Sequence, residues 1–275
     1  MNVFTKTGAN ARSKNEVSIL CVELGAIGMG PGELSRPVSL AADTCGTVFV
    51  ADADRMCVVE LDDSGSFERE ISVNVQPVRI AVSPNGAELF VIGLFEYGRA
   101  RVFVYNARTG KMTSRFAPEM RSAKSVHFAG YPDCLAATDK YLFYAPAYPY
   151  IVRKYTHSGV LAGKIVGDDR GLPGPRRDKL GIMFCPFMVG DMAVDRSGRL
   201  VVLVRWARQQ QTGWCIDVFA PDGRLICSLP SELLDEEGLA TCVAAGDRGR
   251  LYVGLSSPYP KLYAVSLAPG IADQE

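Results

Sequence analysis

The chain has 275 residues, 48% of them hydrophobic, and its 30 lysines and arginines balance 30 aspartates and glutamates. This composition predicts one large folded domain, and zero net charge gives no overall field for holding a nucleic acid backbone or an anionic membrane. Residues 1–16 are polar, and no apolar run reaches the length of a membrane span, so we expect neither a signal peptide nor a transmembrane segment.

A short pattern recurs along the chain, and residues 37–71 show it first. Apolar and β-branched runs alternate there with a tight turn at 43–46, a charged connection at 52–55 and a further turn at 63–65. Aspartate and glycine favour such turns, and runs of this length and composition are typical of strands. The unit is therefore a set of short antiparallel strands.

Four further units follow the first. Their strand-like runs lie at 78–82, 88–92, 102–105 and 111–116, then 134–137, 141–144, 151–155 and 160–166, then 192–194, 200–204, 214–219 and 224–229, then 241–245, 251–254 and 262–267. Asn85-Gly86 and Thr109-Gly110 supply the positive φ angles that short hairpins need. A four-stranded unit copied in this way predicts an all-β fold, a single β-propeller of four-stranded antiparallel blades, of which we count five.

The fifth unit has only three strand-like runs. The run 17–24 precedes the first unit, so we expect it to pair with 262–267 and to close the ring, which would remove the exposed strand edges. The predicted organisation is then a flexible segment at 1–16, the propeller at 17–268 and a flexible tail at 269–275.

The first unit resembles a known family. Residues 28–37, followed by 40–43, 46–52 and 64–67, closely resemble the NHL repeat, whereas the later units resemble related bacterial six-bladed propellers only in outline. The resemblance implies a propeller, usually with six blades. It implies no single activity, because propellers serve as enzymes, ligand binders and docking scaffolds alike.

The cysteines favour a reducing environment. Strand-like runs hold six of them, Cys21, Cys57, Cys134, Cys215, Cys227 and Cys242. We expect these to be buried free thiols, and we expect Cys45 and Cys185 to be exposed. No pair has the spacing of a zinc or redox motif. The interpretation is a cytoplasmic protein, with an exported mature form as the alternative.

The predicted binding surface is one mouth of the central channel. The connections between second and third strands and the links between blades meet there, and they are rich in the aromatic and arginine side chains that dominate binding hot spots. The residues that we expect to bind are Asp52, Arg55, Phe95, Tyr97, Arg99, Tyr148, Tyr150, Arg205, Trp206 and Tyr259. The alternative is that the tyrosines stiffen their loops and that Asp52 serves turn hydrogen bonds.

Residues suited to catalysis are few. The chain has two histidines, His127 and His157, and a turn role is favoured for His157. Propeller lyases that resemble this fold place several histidines around a metal, so we expect no metal and no cofactor. Asp191, Asp133 and His127 are the weak catalytic candidates.

These observations predict a non-catalytic binding or scaffold module that recognises a partner protein or a small-molecule ligand. The alternative is an enzyme that needs few functional groups, such as a lactonase, a lyase or a cyclase, with its active site at the channel mouth. We expect neither a nucleic acid nor a membrane partner. The long link at 167–190 holds a basic cluster that begins at Arg170. It either binds an anion or, as its interleaved acids favour, is only a solvated loop.

Overall fold

The computed structural model describes residues 3–5, 20–22, 26–95, 99–118, 133–172, 174, 176–177, 183–185, 187–208, 211–234, 238–246, 249–256 and 260–267. Nearly all of the regular structure in these residues is β-strand, with one 3-10 helix at Ser231–Leu234. None of the described helical structure is long and apolar enough to cross a membrane.

The strands follow the predicted units closely. In chain order they are β1 (Val3–Thr5), β2 (Leu20–Val22), β3 (Ala26–Ile27), β4 (Glu33–Leu34), β5 (Pro37–Ala42), β6 (Val48–Asp52), β7 (Cys57–Leu61), β8 (Phe67–Ser72), β9 (Gln76–Val82), β10 (Glu88–Phe95), β11 (Arg99–Asn106), β12 (Met112–Phe116), β13 (Cys134–Ala137), β14 (Tyr141–Ala145), β15 (Ile151–Thr156), β16 (Leu161–Val166), β17 (Arg176–Arg177), β18 (Met183–Phe184), β19 (Phe187–Val194), β20 (Leu200–Arg208), β21 (Gln211–Phe219), β22 (Leu225–Pro230), β23 (Ala240–Ala245), β24 (Arg250–Leu255) and β25 (Lys261–Ser266).

Five antiparallel sheets form the blades of a β-propeller. Strands β5–β8 make blade 1, β9–β12 blade 2, β13–β16 blade 3, β19–β22 blade 4 and β23–β25 blade 5. The first strands of consecutive blades, β5, β9, β13, β19 and β23, pack side by side in that order and line the channel. The predicted fold and the count of five blades are confirmed.

The turn between the first two strands shows why the sequence folds in this way. In blade 4 the Asp195 carboxylate accepts hydrogen bonds from the backbone N–H groups of Ser197 and Arg199, each at 2.9 Å. Gly198 has a φ of +78°, which a side chain would strain. Aspartate fixes the turn and glycine permits it, so the hairpin is specified locally.

The core is divided among the interfaces between consecutive blades. Four buried apolar clusters lie between blades 1 and 2, 2 and 3, 3 and 4, and 4 and 5. Between blades 2 and 3, for example, Phe90 packs in one cluster with Tyr144, and both are fully buried. Because each blade contributes both of its faces, the middle strands are apolar on both sides, which explains their weak alternation.

The predicted closure of the ring is wrong for the residues that the structure describes. Leu20–Val22, within the run 17–24 that we expected to close the ring, pairs antiparallel with Val3–Thr5 in the segment we expected to be flexible. Strand β25 pairs only with β24, and Leu262 on it is 57% exposed. A partner nearby in sequence has a smaller loop-closure cost than one at the far end of the chain, and strand composition does not distinguish the two.

The NHL-like segment packs beside blade 1. Strands β3 and β4 form a two-residue parallel pair, and Leu34 covers the side of blade 1 that faces away from blade 2. The carboxylate of Glu33 accepts a hydrogen bond from the Gly30 N–H at 2.6 Å. The motif therefore folds as a compact loop that shields one end of the blade series.

Candidate functional site

The two ends of the channel are built from different connections. The connections that follow the second strand of each blade, together with the links between blades, form one end, here called the loop mouth. The hairpin turns that follow the first strand form the other, here called the turn mouth. Because these connections lie at opposite ends of the same strands, the two mouths lie on opposite faces of the propeller.

Four of the predicted binding residues have no described side chain. Phe95 and Arg99 are known from their backbone alone, where they form the last pair of β10 with β11. Tyr97 and Tyr259 lie outside the described residues, as does His127. Their role in binding stays a prediction.

Asp52 and Arg55 make hydrogen bonds that hold the loop mouth together. Asp52 is fully buried, and its carboxylate accepts N–H groups of Ser35 at 2.6 Å and Arg36 at 3.2 Å. Burial alone would raise the pKa of Asp52, but these and further backbone N–H groups lower it. Arg55 pairs with Glu70 and donates to the carbonyl of Glu33. Asp52 also accepts the N–H groups of Asp54 and Arg55, the turn hydrogen bonds of the alternative interpretation, and the role of both residues in binding stays a prediction.

Tyr150 is likewise a structural residue. It is 3% exposed, and its hydroxyl donates to Asp217 at 3.0 Å, which links blade 3 to blade 4. Burial raises the pKa of Tyr150, and the neighbouring Asp217 carboxylate raises it further. The side chain of Tyr150 is therefore enclosed between blades 3 and 4, and its role in binding stays a prediction.

Arg170 and Trp206 form a partly exposed contact, and Tyr148 lies beside the link that carries Arg170; these three residues are here called the loop-mouth patch. The Arg170 guanidinium lies 5.5 Å from the centroid of the Trp206 ring, and its Nη2 donates to Asp217 at 3.0 Å. Trp206 also packs on the core between blades 3 and 4. Tyr148 lies beside the same link, with its hydroxyl against Gly174. Two predicted binding residues, Tyr148 and Trp206, thus lie beside the link at 167–190. Arg170 of this link is paired with the buried Asp217 carboxylate and is not merely solvated.

The channel contains an ion pair that the sequence did not reveal. Asp191 Oδ1 in blade 4 lies 3.6 Å from Arg79 Nη1 in blade 2, and Asp191 Oδ2 accepts the Val243 N–H of blade 5 at 3.0 Å. Burial raises the pKa of Asp191, and Arg79 and the N–H groups oppose that rise. Arg205, the third arginine predicted at the mouth, lies close enough to Asp191 to lower that pKa slightly as well.

Asp133, the other described catalytic candidate, has a structural partner, and so does His157, for which a turn role was favoured. Asp133 is buried, and its carboxylate accepts a hydrogen bond from the hydroxyl of Tyr144. His157 contacts the carboxylate of Glu88 and, through Nε2, the carbonyl of Thr138 at 3.0 Å, so it fastens blade 3 to blade 2. Within the described residues, no group of three His, Cys, Asp or Glu side chains is placed to hold a metal ion.

The turn mouth opens into a cavity of about 950 Å³ that sequence reasoning did not point to. Hairpin turns of all five blades line it, and Lys154 projects into it from blade 3. The charged residues of its wall are Asp43, Asp139, Lys140, Lys154, Asp195 and Arg196. The Lys154 Nζ lies 4.0 Å from the centroid of the Tyr141 ring. In the sequence these residues are ordinary turn and strand formers, and only the ring brings them together.

Comparison with known proteins establishes the fold. No known family profile matches the chain, and no curated protein sequence matches it. A structure of streptogramin B lyase matches with a TM-score of 0.52 and 14% identity, over 86% of this chain and 71% of the lyase chain. A chain of the mitotic checkpoint complex matches with a TM-score of 0.50 and 13% identity, over 91% of this chain and 86% of that one.

The WD40 repeats of RRP9 match with a TM-score of 0.50 and 11% identity, over 86% of this chain and 78% of that chain. The neighbours thus include a lyase, a chain of the mitotic checkpoint complex and a WD40-repeat protein. At such low identities the similarity concerns the β-propeller architecture alone.

Proposed function

We propose that this protein is a non-catalytic binding module that recognises a partner, a protein or a small ligand, through its loop mouth. The loop-mouth patch is the observation that carries the proposal. Its arginine is held by a buried carboxylate and its tryptophan by the core, so little conformational entropy is lost when a partner binds. Aromatic rings and guanidinium groups in such settings are the usual hot spots of interfaces.

The proposal includes an NHL-like, cytoplasmic propeller. Support for the NHL relationship comes from Asp52, which binds the backbone of Ser35 and Arg36 and so ties the motif to the blade. Support for a reducing compartment comes from the seven free cysteines among the described residues. One structural neighbour is part of the mitotic checkpoint complex, which agrees with use of this architecture for docking.

The test compares capture by the native protein with capture by a Trp206→Ala variant, each immobilised and exposed to an extract of the source cells. A bound protein or small molecule is identified by mass spectrometry and its affinity is then measured with the purified components. We expect the affinity of the Trp206→Ala variant for the partner to be at least about tenfold lower, because loss of a hot-spot aromatic side chain costs about 2 kcal/mol or more of binding free energy.

Leu225→Ala is the matched control, because Leu225 is also exposed but lies on the outermost strand of the same blade. This variant should bind as the native protein does. Equal affinity of the native protein and Trp206→Ala, with both folded by circular dichroism, would contradict the proposal.

The Asp191 carboxylate favours a second candidate, the enzyme of few functional groups. A buried carboxylate with a raised pKa in a channel is the form of a general acid or base. Its contacts with Arg79 and Val243 instead suit a structural tie between blades. A panel of lactones assayed for hydrolysis with the native protein and Asp191→Asn separates the two. Turnover that depends on Asp191 would replace the binding proposal.

A further inference from the structure

The turn mouth is chemically two-sided. On one side, Asp43 accepts the backbone N–H groups of Cys45 and Thr47, and Asp139 accepts the N–H of Asn85 in blade 2. These two carboxylates are therefore turned toward blades 1 and 2. The side between blades 3 and 4 carries the basic residues Lys154 and Arg196.

Asp195, the carboxylate on the basic side, is already paired. It is 8% exposed, and its Oδ2 accepts Arg199 Nε at 2.6 Å, while its Oδ1 accepts two backbone N–H groups. It therefore has little capacity left to neutralise Lys154. No carboxylate of the described chain forms an ion pair with either Lys154 or Lys140.

Lys154 is held in place by aromatic rings. Its Nζ lies 4.0 Å from the centroid of Tyr141 and 5.8 Å from that of Phe143, so the ammonium is stabilised by the ring faces. Phe143 lies directly opposite Lys154 on the neighbouring strand. Such a contact positions the cation without neutralising it, and it surrounds the charge with apolar surface.

We propose that the turn mouth binds a small organic carboxylate, with Lys154 as the partner of the carboxylate group. The apolar body of the ligand would lie against the wall that includes Tyr141, Val194 and Pro221. The cavity, at about 950 Å³, is within the size range of natural small-molecule sites. This site is separate from the loop-mouth patch, so its failure leaves the proposed function untouched.

Three probes test this inference on the native chain by calorimetric titration. Phenylacetate carries both the carboxylate and an apolar ring, phenylacetamide keeps the ring without the charge, and inorganic phosphate has the charge without the ring. We expect phenylacetate to bind at least about tenfold more tightly than either of the others. Phenylacetamide can form only a neutral hydrogen bond, which contributes less than a charge-assisted one, and phosphate lacks the ring that would pack against the apolar wall.

Lys154→Met should weaken phenylacetate binding by about tenfold, since it removes the charge and keeps the length of the side chain. Lys111→Met is the matched control, because Lys111 is an exposed lysine of blade 2 outside the cavity. It should bind phenylacetate as the native protein does. Equal binding by Lys154→Met and the native protein would overturn the proposal.

A measurement without mutation covers the case in which the Lys154→Met variant fails to fold. Phenylacetate should slow the acetylation of Lys154 by acetic anhydride, read by mass spectrometry of the peptides, and should leave Lys111 unaffected. Phenylacetamide should give no protection. Failure of phenylacetate to bind, or equal protection by both compounds, would show that the cavity is not a carboxylate site.

Discussion

The carboxylate of Asp191 and the guanidinium of Arg79 meet across the channel, with Oδ1 and Nη1 3.6 Å apart, although the two residues belong to blades that are not neighbours. Asp191 also accepts the Val243 N–H of blade 5. One aspartate therefore connects three blades, and the centre of the propeller is fixed by polar contacts as well as by apolar faces.

Replacing Arg79 with methionine should destabilise the fold. Methionine keeps the apolar length of the side chain but leaves the buried Asp191 carboxylate without its counter-charge. We expect a loss of about 1–3 kcal/mol in the free energy of unfolding, below the value for a fully buried pair because both side chains retain some exposure. Urea denaturation measures it, and Arg79→Met combined with Asp191→Asn should cost less than the sum of the single changes. Additive losses would mean that the two groups do not interact.

Asp191, the partner of Arg79, should give stability a distinct pH dependence. The folded-state pKa of Asp191 lies above its ordinary value of 3.8, so the folded state holds a proton that the unfolded chain has lost. Stability from this group is therefore present at low pH and is lost as the pH rises from 3.8 through the raised pKa.

The slope is at most about 1.4 kcal/mol per pH unit. Asp52 acts in the opposite direction because its pKa is lowered, but it is common to the native protein and to Asp191→Asn. The difference between their unfolding free energies, measured across acidic pH, should isolate the Asp191 contribution. A difference that does not change with pH would refute the raised pKa.

Two tyrosines two residues apart should respond differently to loss of the hydroxyl. Tyr150→Phe removes the donor to the buried Asp217 and should cost about 1–2 kcal/mol in the free energy of unfolding. Tyr148→Phe, which changes a partly exposed side chain of the loop-mouth patch, should stay within about 0.5 kcal/mol. Denaturant curves of both variants test this, and a larger loss for Tyr148 would reverse the assignment of structural and surface roles.

The cysteines should separate into two reactivity groups. Cys45 and Cys242 are exposed and should be alkylated by iodoacetamide in the folded protein at neutral pH. Cys134 and Cys215 are buried, and burial raises the pKa of each thiol to about 12, so they should react only after unfolding. Peptide mass spectrometry reads each site separately. Rapid labelling of Cys134 in the native state would show that the channel wall opens.

The burial of Cys242 and of Cys185 is the opposite of the sequence-based expectation. Cys242 lies in a strand-like run and was expected to be buried, yet it is exposed on β23. Cys185 was expected to be exposed, yet it is buried and donates to the Phe187 carbonyl at 2.8 Å. Burial in a propeller depends on which neighbouring blade or link covers a strand, and local composition does not carry that information.

The blades were predictable because their determinants are local. The turn at Asp195 and Gly198 is specified within four residues, and similar signals mark the other hairpins. The contact between Arg79 and Asp191 was not predictable, since it depends on the closeness of strands that are far apart in the sequence. The prediction of the strand that pairs with Leu20–Val22 was wrong for a related reason, because the sequence of a short apolar strand does not specify which strand it pairs with. The cavity around Lys154 likewise exists only once five hairpin turns are brought together.

The interfaces between blades also determine which blades should unfold locally first. Among the residues that the structure describes, blades 2, 3 and 4 each share a buried apolar cluster with two neighbouring blades, whereas blade 5 shares one only with blade 4 and none with blade 1. Such an assembly behaves as a row with two ends, and in a row of nearest-neighbour units the end units fray first. Amide hydrogen exchange should therefore be slowest in the middle strands of blade 3 and become faster toward β25.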